Sequence, residues 1–256
     1  MSPVRMVDRA TDDTPDASDV TVVLVHGAGH TARVWAKVQA ALGHRSLAVD
    51  LPGRADRVAG IAAVGIDDAV ASIAADVESA TTGPLVLVGH SAGGVVLPGV
   101  AARLGTRVGH LVFVAGLCAP HGQAVITTVR PDAAADFTAR LDALRAEFAD
   151  CMLDPDPPVV GMRAIDEKAA MGIDSLNYMQ HTVSWDGVPD TTPRTFVRCL
   201  RDRIQPRALQ AKLAANCGAR SVVEIDCGHT PALAAPGELA GVVDHIVAST
   251  ATSAAT

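Results

Sequence analysis

Leu85-Val86-Leu87-Val88-Gly89-His90-Ser91-Ala92-Gly93 is the stretch that decides how the rest of the chain is read. Four aliphatic residues in a row fit a strand buried on both faces. The G-x-S-x-G pattern that ends the strand precedes the small, apolar Gly94-Val95-Val96-Leu97. It is the sequence form of a strand turning sharply into a helix with a serine at the apex. Side chains beside that serine would collide in so tight a turn, which accounts for the flanking glycines. The strained turn lifts the Ser91 hydroxyl clear of the sheet. The N–H of Ala92 falls in the first helical turn, where amides have no intrahelical partner and the dipole favours negative charge. One segment therefore offers a nucleophile and half of an oxyanion hole.

Outward from this turn, strands and helices alternate. Val20 to Val25 is another continuous apolar run, ending at His26-Gly27-Ala28-Gly29-His30. Thr31 to Leu42 carries Val34, Trp35, Val38 and Leu42 at helical spacing. Ser46 to Val49 reads as a short strand stopped by Asp50-Leu51-Pro52-Gly53, and Ile66 to Ser79 as an amphipathic helix. The helix after the turn is expected over Ala92 to Leu104. Further strands are expected at His110–Ala115, Arg194–Leu200 and Arg220–Ile225, with a closing helix at Pro236–Val247. The pattern predicts an α/β fold with a mostly parallel, doubly wound sheet of about six to eight strands.

Between about residues 118 and 190 the alternation stops. An amphipathic helix is expected over Phe137–Phe148. The stretch also holds four of the six Met residues, Met152, Met162, Met171 and Met179, with the single Tyr178 and one of two Trp, Trp185. This is read as a helical cap inserted after the strand that ends near Ala115, on a core of residues 20–117 and 191–248. Met152, Tyr178 and Trp185, with His30 from the first strand's loop, are candidate pocket residues, since Met fills irregular apolar space. Residues 1–19, rich in Asp, Thr, Ser and Pro, read as a flexible tail, and 249–256 as a frayed end.

Length and composition suit one large domain. Nearly half of the 256 residues are hydrophobic, but only 3% are aromatic, so the core must be built of small aliphatics. The net charge of −7 supports solubility and argues weakly against nucleic acid or an anionic membrane as partner; the expected partner is a small-molecule substrate. The first nineteen residues contain no secretory apolar segment, and no apolar run is long enough to cross a membrane. Five cysteines, Cys118, Cys151, Cys199, Cys217 and Cys227, are odd in number and lack C-x-x-C spacing, which fits free thiols in the cytoplasm. Oligomeric state is left open.

A serine hydroxyl needs a base within hydrogen-bond reach, and the base needs an orienting acid. His229, in Asp226-Cys227-Gly228-His229, follows the last strand with a glycine before it for room. Asp202 lies just past the preceding strand. Both positions open at the carboxyl edge of the sheet, where Ser91 sits and where ligands bind in such folds. Asp226 is the rival acid, awkward because it lies three residues from His229. A second oxyanion N–H is expected from Ala28, in the glycine-rich loop after the first strand. His26 is expected to brace that loop, Asp50, in the Asp50-Leu51-Pro52-Gly53 turn, to fix a loop, and His90 to point away from Ser91 as a structural residue. The dinucleotide, phosphate-loop and zinc-site patterns are absent, so neither a cofactor nor a metal is implied.

Across about residues 20–248 the chain resembles the α/β-hydrolase superfamily. Within it the likeness is to the small-cap group of plant methyl-ester esterases and hydroxynitrile lyases. The carrying residues are Val23 to His30 with Trp35, Val88 to Gly94, Asp202, and Gly228-His229. The resemblance implies an eight-stranded or slightly reduced sheet with a catalytic triad at Ser91, Asp202 and His229. The lyases carry Lys directly after the catalytic His and the esterases usually Met; Thr230 stands here, which argues against cyanohydrin cleavage. Ester, lactone or thioester hydrolysis of a small, largely apolar molecule is the leading expectation. A lyase, cyclase or acyl-transfer reaction at the same site and a silent ligand receptor are the alternatives.

Overall fold

The computed structural model describes residues 5–7, 20–54, 57, 64–131, 136, 139 and 177–254. Among these, seven strands form the main sheet: β1 (Arg5–Val7), β2 (Thr21–Val25), β3 (Ser46–Val49), β4 (Leu85–His90), β5 (Val108–Val114), β8 (Arg194–Cys199) and β9 (Ser221–Ile225). Their spatial order is β1-β3-β2-β4-β5-β8-β9. All neighbours run parallel except β1, which pairs antiparallel with β3 through Arg5↔Ala48 and Val7↔Ser46. The stretch expected to be a tail thus contributes an edge strand. Three residues are too short a run to show a period, so the sequence pattern could not reveal it.

The apolar runs are explained by burial on both faces. Along β2, Val23 and Val25 point into one core cluster and Val22 and Leu24 into another; along β4, Leu85 and Leu87 divide from Val86 and Val88 in the same way. The helices Ile66–Ala80 and Leu97–Leu104 cover the first face, while Ala36–Ala41 and Pro236–Ala254 cover the second. Fully burying such aliphatic side chains stabilises the fold by roughly 1.5–3 kcal/mol each before chain entropy is counted.

Some boundaries differ from the expected ones. The helix expected over Thr31–Leu42 opens as a tight 3-10 turn, Ala32–Trp35, whose first amide is held by the Asp50 carboxylate at 2.6 Å. The element after Ser91 begins as a 3-10 turn, Ser91–Gly94, and becomes α-helical only at Leu97. The closing helix continues to Ala254, past the expected fraying point at Ser249, with Ser249 and Thr250 hydroxyls donating to the Ile246 carbonyl. The helix Arg207–Asn216 was not anticipated from the sequence, because Pro206 and a weak apolar stripe obscure it.

Most of residues 118–190, including the helix expected over Phe137–Phe148 apart from the helical Ala139, lies outside the described residues. Its two ends are described. A second, two-stranded sheet pairs β6 (Gln123–Ala124) antiparallel with β7 (Thr182–Val183). That ladder ties the outgoing chain after β5 to the returning chain before β8.

From β2 the chain crosses to β3 on one side and then returns to β4 on the other. The strand order therefore reverses between β2 and β4. A crevice at the carboxyl ends of such a pair is the usual ligand position in open α/β sheets. The loop His26–His30 and the turn at Ser91 both lie there.

Candidate active site

Ser91 follows β4 with φ at +49°, a left-handed conformation that a side chain adopts only under constraint. The constraint is visible. A methyl group built on Gly89 would sit 2.7 Å from the Gly93 carbonyl oxygen, and one on Gly93 would lie 2.6 Å from that of His26 and 2.7 Å from that of Val25. The glycines let the turn fold on itself and let its far side press against the end of β2. The Leu117 N–H donates to the Ser91 carbonyl at 2.8 Å and fixes the turn to the chain leaving β5.

The Ser91 hydroxyl lies 3.0 Å from His229 Nε2, and His229 Nδ1 lies 2.6 Å from Asp202 Oδ2. A carboxylate only accepts, so Nδ1 carries the proton and the Nε2 lone pair faces the hydroxyl. The Asp202 side chain is fully buried and that of His229 is 13% exposed. Asp202 Oδ1 accepts the N–H groups of Ile204 at 2.8 Å and Gln205 at 2.9 Å. Burial pushes the Asp202 carboxyl upward, but the bonds from His229, Gln205 and Ile204 and the nearby imidazole outweigh it, so its pKa lies below the ordinary value of 3.8.

The expected rival, Asp226, is turned to solvent and pairs with Arg201 at 2.9 Å, both side chains about 70% exposed. The glycine before His229 is not needed for room: a Cβ on Gly228 would meet nothing within 4 Å. Gln210, which sequence reasoning passed over, holds the acid's strand in place. Fully buried, it accepts the Cys199 N–H and donates to the carbonyls of Cys199 and Gln205. No local sequence pattern marks it, since its burial is set by the strand end it packs against.

The loop after β2 is braced by its histidines. His26 Nδ1–H donates to the Gly27 carbonyl at 2.9 Å, and the Leu51 N–H donates to its Nε2 at 3.3 Å. Burial first, and the Arg54 guanidinium next, hold His26 well below the ordinary imidazole pKa. His30 Nδ1 lies 3.0 Å from the Ala28 carbonyl. Ala28 thus sits in a loop fixed from both sides, and Ala92 is second in the 3-10 turn. His90 is buried, and its Nε2 reaches the main-chain carbonyl of His229 at 2.8 Å.

The remaining pocket candidates separate. Tyr178 is 3% exposed and lines a small cavity with Pro52, Arg54, Ile66 and Asn177. Trp185 seats the returning chain on the core: its indole N–H donates to the Ala119 carbonyl, its ring tilts against Phe113, and the Arg194 guanidinium lies 4.1 Å over it. Met152 lies outside the described residues. Cys118, Cys199, Cys217 and Cys227 are buried thiols, and burial raises the pKa of each. Among the described residues no helix is long and apolar enough to cross a membrane.

The profile of the Alpha/beta hydrolase family matches residues 22–242, an interval that contains the whole Ser91–His229–Asp202 constellation. The chain belongs to the alpha/beta hydrolase family. It is 28% identical over 240 residues to Lipase LipV of Mycobacterium tuberculosis, covering 87% of this chain and 91% of that one. It is 27% identical over 257 residues to Methylesterase 3 of Arabidopsis thaliana, covering 87% and 94%. Among solved structures, an extracellular alpha/beta-hydrolase from a Paenibacillus species superposes with a TM-score of 0.69 at 18% identity, over 88% of this chain and 97% of that one. At that identity the likeness speaks for the hydrolase fold alone.

Proposed function

We propose that this alpha/beta hydrolase is a serine esterase that cleaves a carboxylic ester of a small, largely apolar molecule through an acyl-enzyme. The observation that carries the proposal is the unbroken chain from Ser91 Oγ to His229 Nε2 at 3.0 Å and from His229 Nδ1 to Asp202 Oδ2 at 2.6 Å. Ser91 attacks the ester carbonyl as its proton passes to His229. Asp202 keeps the imidazole in the accepting tautomer and stabilises the imidazolium that forms. His229 then protonates the leaving alcohol, and a water activated by the same imidazole hydrolyses the acyl-enzyme. The amides of Ala28 and Ala92 are the proposed oxyanion donors, each worth about 3 kcal/mol in the transition state.

The names of the two relatives, a lipase and a methylesterase, support ester chemistry. The stretch 118–190, closed at its base by the β6–β7 ladder, is the proposed cap. Four buried thiols without a disulfide support a reducing, cytoplasmic setting.

The test is turnover of p-nitrophenyl esters in ¹⁸O-labelled water. The wild type is expected to place label in the acid product. Ser91→Ala is expected to lower kcat/KM by roughly four orders of magnitude or more. Undiminished turnover by Ser91→Ala, or product without label, would overturn the proposal.

A further inference from the structure

His90 and Ser91 are consecutive, and both engage one residue more than a hundred positions away. Ser91 meets the His229 side chain, and His90 meets the His229 main chain at 2.8 Å. A carbonyl only accepts, so His90 Nε2 carries the proton and donates. Its other nitrogen, Nδ1, is buried, and among the described residues nothing bonds it. It faces Gly27 so closely that a Cβ there would lie 3.1 Å from it. A proton on Nδ1 would be buried without an acceptor, which fixes the neutral Nε2–H tautomer.

The ring is also wedged. Its centroid lies 5.0 Å from that of His229, tilted by 52°, while Trp35 and His30 meet it edge-on at 6.4 and 6.0 Å. His30 in turn contacts the Ala28 carbonyl. One imidazole therefore stands between the loop that carries the base and the loop that carries Ala28. Burial, with the neighbouring His229 and His30 next, pulls its pKa down to about 3, so the donor stays neutral across any ordinary working pH.

We infer that His90 is a positioning residue: its Nε2–H holds the His229 backbone so that the imidazole meets the Ser91 hydroxyl in reacting geometry. The one-residue step from 90 to 91 then acts as a ruler between nucleophile and base. The kinetic consequence rests on the esterase reading; the hydrogen bond itself does not.

The experiment compares His90→Leu, which removes the donor, with His90→Gln, whose side-chain N–H reaches a similar position. Ester kinetics, Tm and imidazole ¹⁵N NMR are measured on both and on the wild type. His90→Leu is expected to lower kcat about 10- to 100-fold with KM within about twofold, since small misplacements of a reacting group cost that much. His90→Gln is expected to recover most of the loss, although its Tm need not be higher. Equal loss in both variants, or loss that simply follows Tm, would overturn the inference. The spectrum separates it from the esterase reading. Wild-type His90 should show the neutral Nε2–H tautomer at pH 7, and the His229 Nδ1–H proton should exchange faster in His90→Leu. An Nδ1–H or doubly protonated His90 would overturn the clamp whatever the ester kinetics show. Absence of Ser91-dependent turnover beside the expected spectrum would overturn only the esterase reading.

Discussion

Asp202 and His229, 27 residues apart in the chain, meet through a 2.6 Å hydrogen bond that leaves the far nitrogen of the imidazole facing Ser91. The carboxylate reaches the ring from the end of β8, while its second oxygen is held by the Ile204 and Gln205 amides. Orientation of the imidazole is thus built into the turn that follows β8, whereas the imidazole itself follows β9.

Asp202→Asn tests that division of labour. The remaining oxygen can still accept the two amides, so the turn should fold. The new NH₂ would donate to His229 Nδ1 and force the imidazole into the tautomer that cannot accept from Ser91. A fall in kcat of about 10³- to 10⁴-fold is expected, by analogy with the same change in other triads. Asp226→Asn should keep kcat within about twofold, because an exposed ion pair with Arg201 is worth at most about 1 kcal/mol. Steady-state kinetics on a p-nitrophenyl ester measures both.

Glycines near the site should differ sharply in tolerance. Gly93→Ala drives a methyl group against two backbone carbonyls that cannot move aside. It should cost at least about 2 kcal/mol and lower Tm by about 5 °C or more. Gly228→Ala enters open space and should change stability by no more than about 0.5 kcal/mol. Thermal denaturation of the two variants side by side checks the contrast.

Buried neutral imidazoles should make the fold acid-sensitive. Burial lowers His110 to about 4 and His90 to about 3. In the unfolded chain both titrate near 6.5. Between these limits the unfolded state binds more protons, so stability is complete above about pH 6.5 and falls as pH drops toward 4. Each such site contributes a slope of about 1.4 kcal/mol per pH unit within its window. His110→Leu should flatten the urea-unfolding pH profile between pH 6 and 4 by about one proton; an unchanged slope would count against the buried, neutral state.

The sheet was legible where a central strand is buried on both faces and reads as an unbroken aliphatic run, as at Val22–Val25 and Leu85–Val88. The candidate site was legible where a rare local pattern marks it, as with the glycines around Ser91, or where its residues take a fixed place at a strand's end, as with Asp202 and His229. What escaped was set by tertiary contact. Arg5–Val7 becomes a strand only because β3 offers an edge. His90 gained its contact from a loop 139 residues away. Gln210 is buried because it satisfies the backbone around Cys199. No local pattern records any of these three.

The most direct measurement is labelling with a fluorophosphonate, which reacts only with a serine whose hydroxyl is activated by a neighbouring base, followed by peptide mass spectrometry. Stoichiometric modification is expected at Ser91 in the wild type, with at least a hundredfold slower labelling in His229→Ala. A wild-type protein that stays unlabelled, or carries the phosphonate on another serine, would contradict the assignment of Ser91, His229 and Asp202 as one catalytic unit.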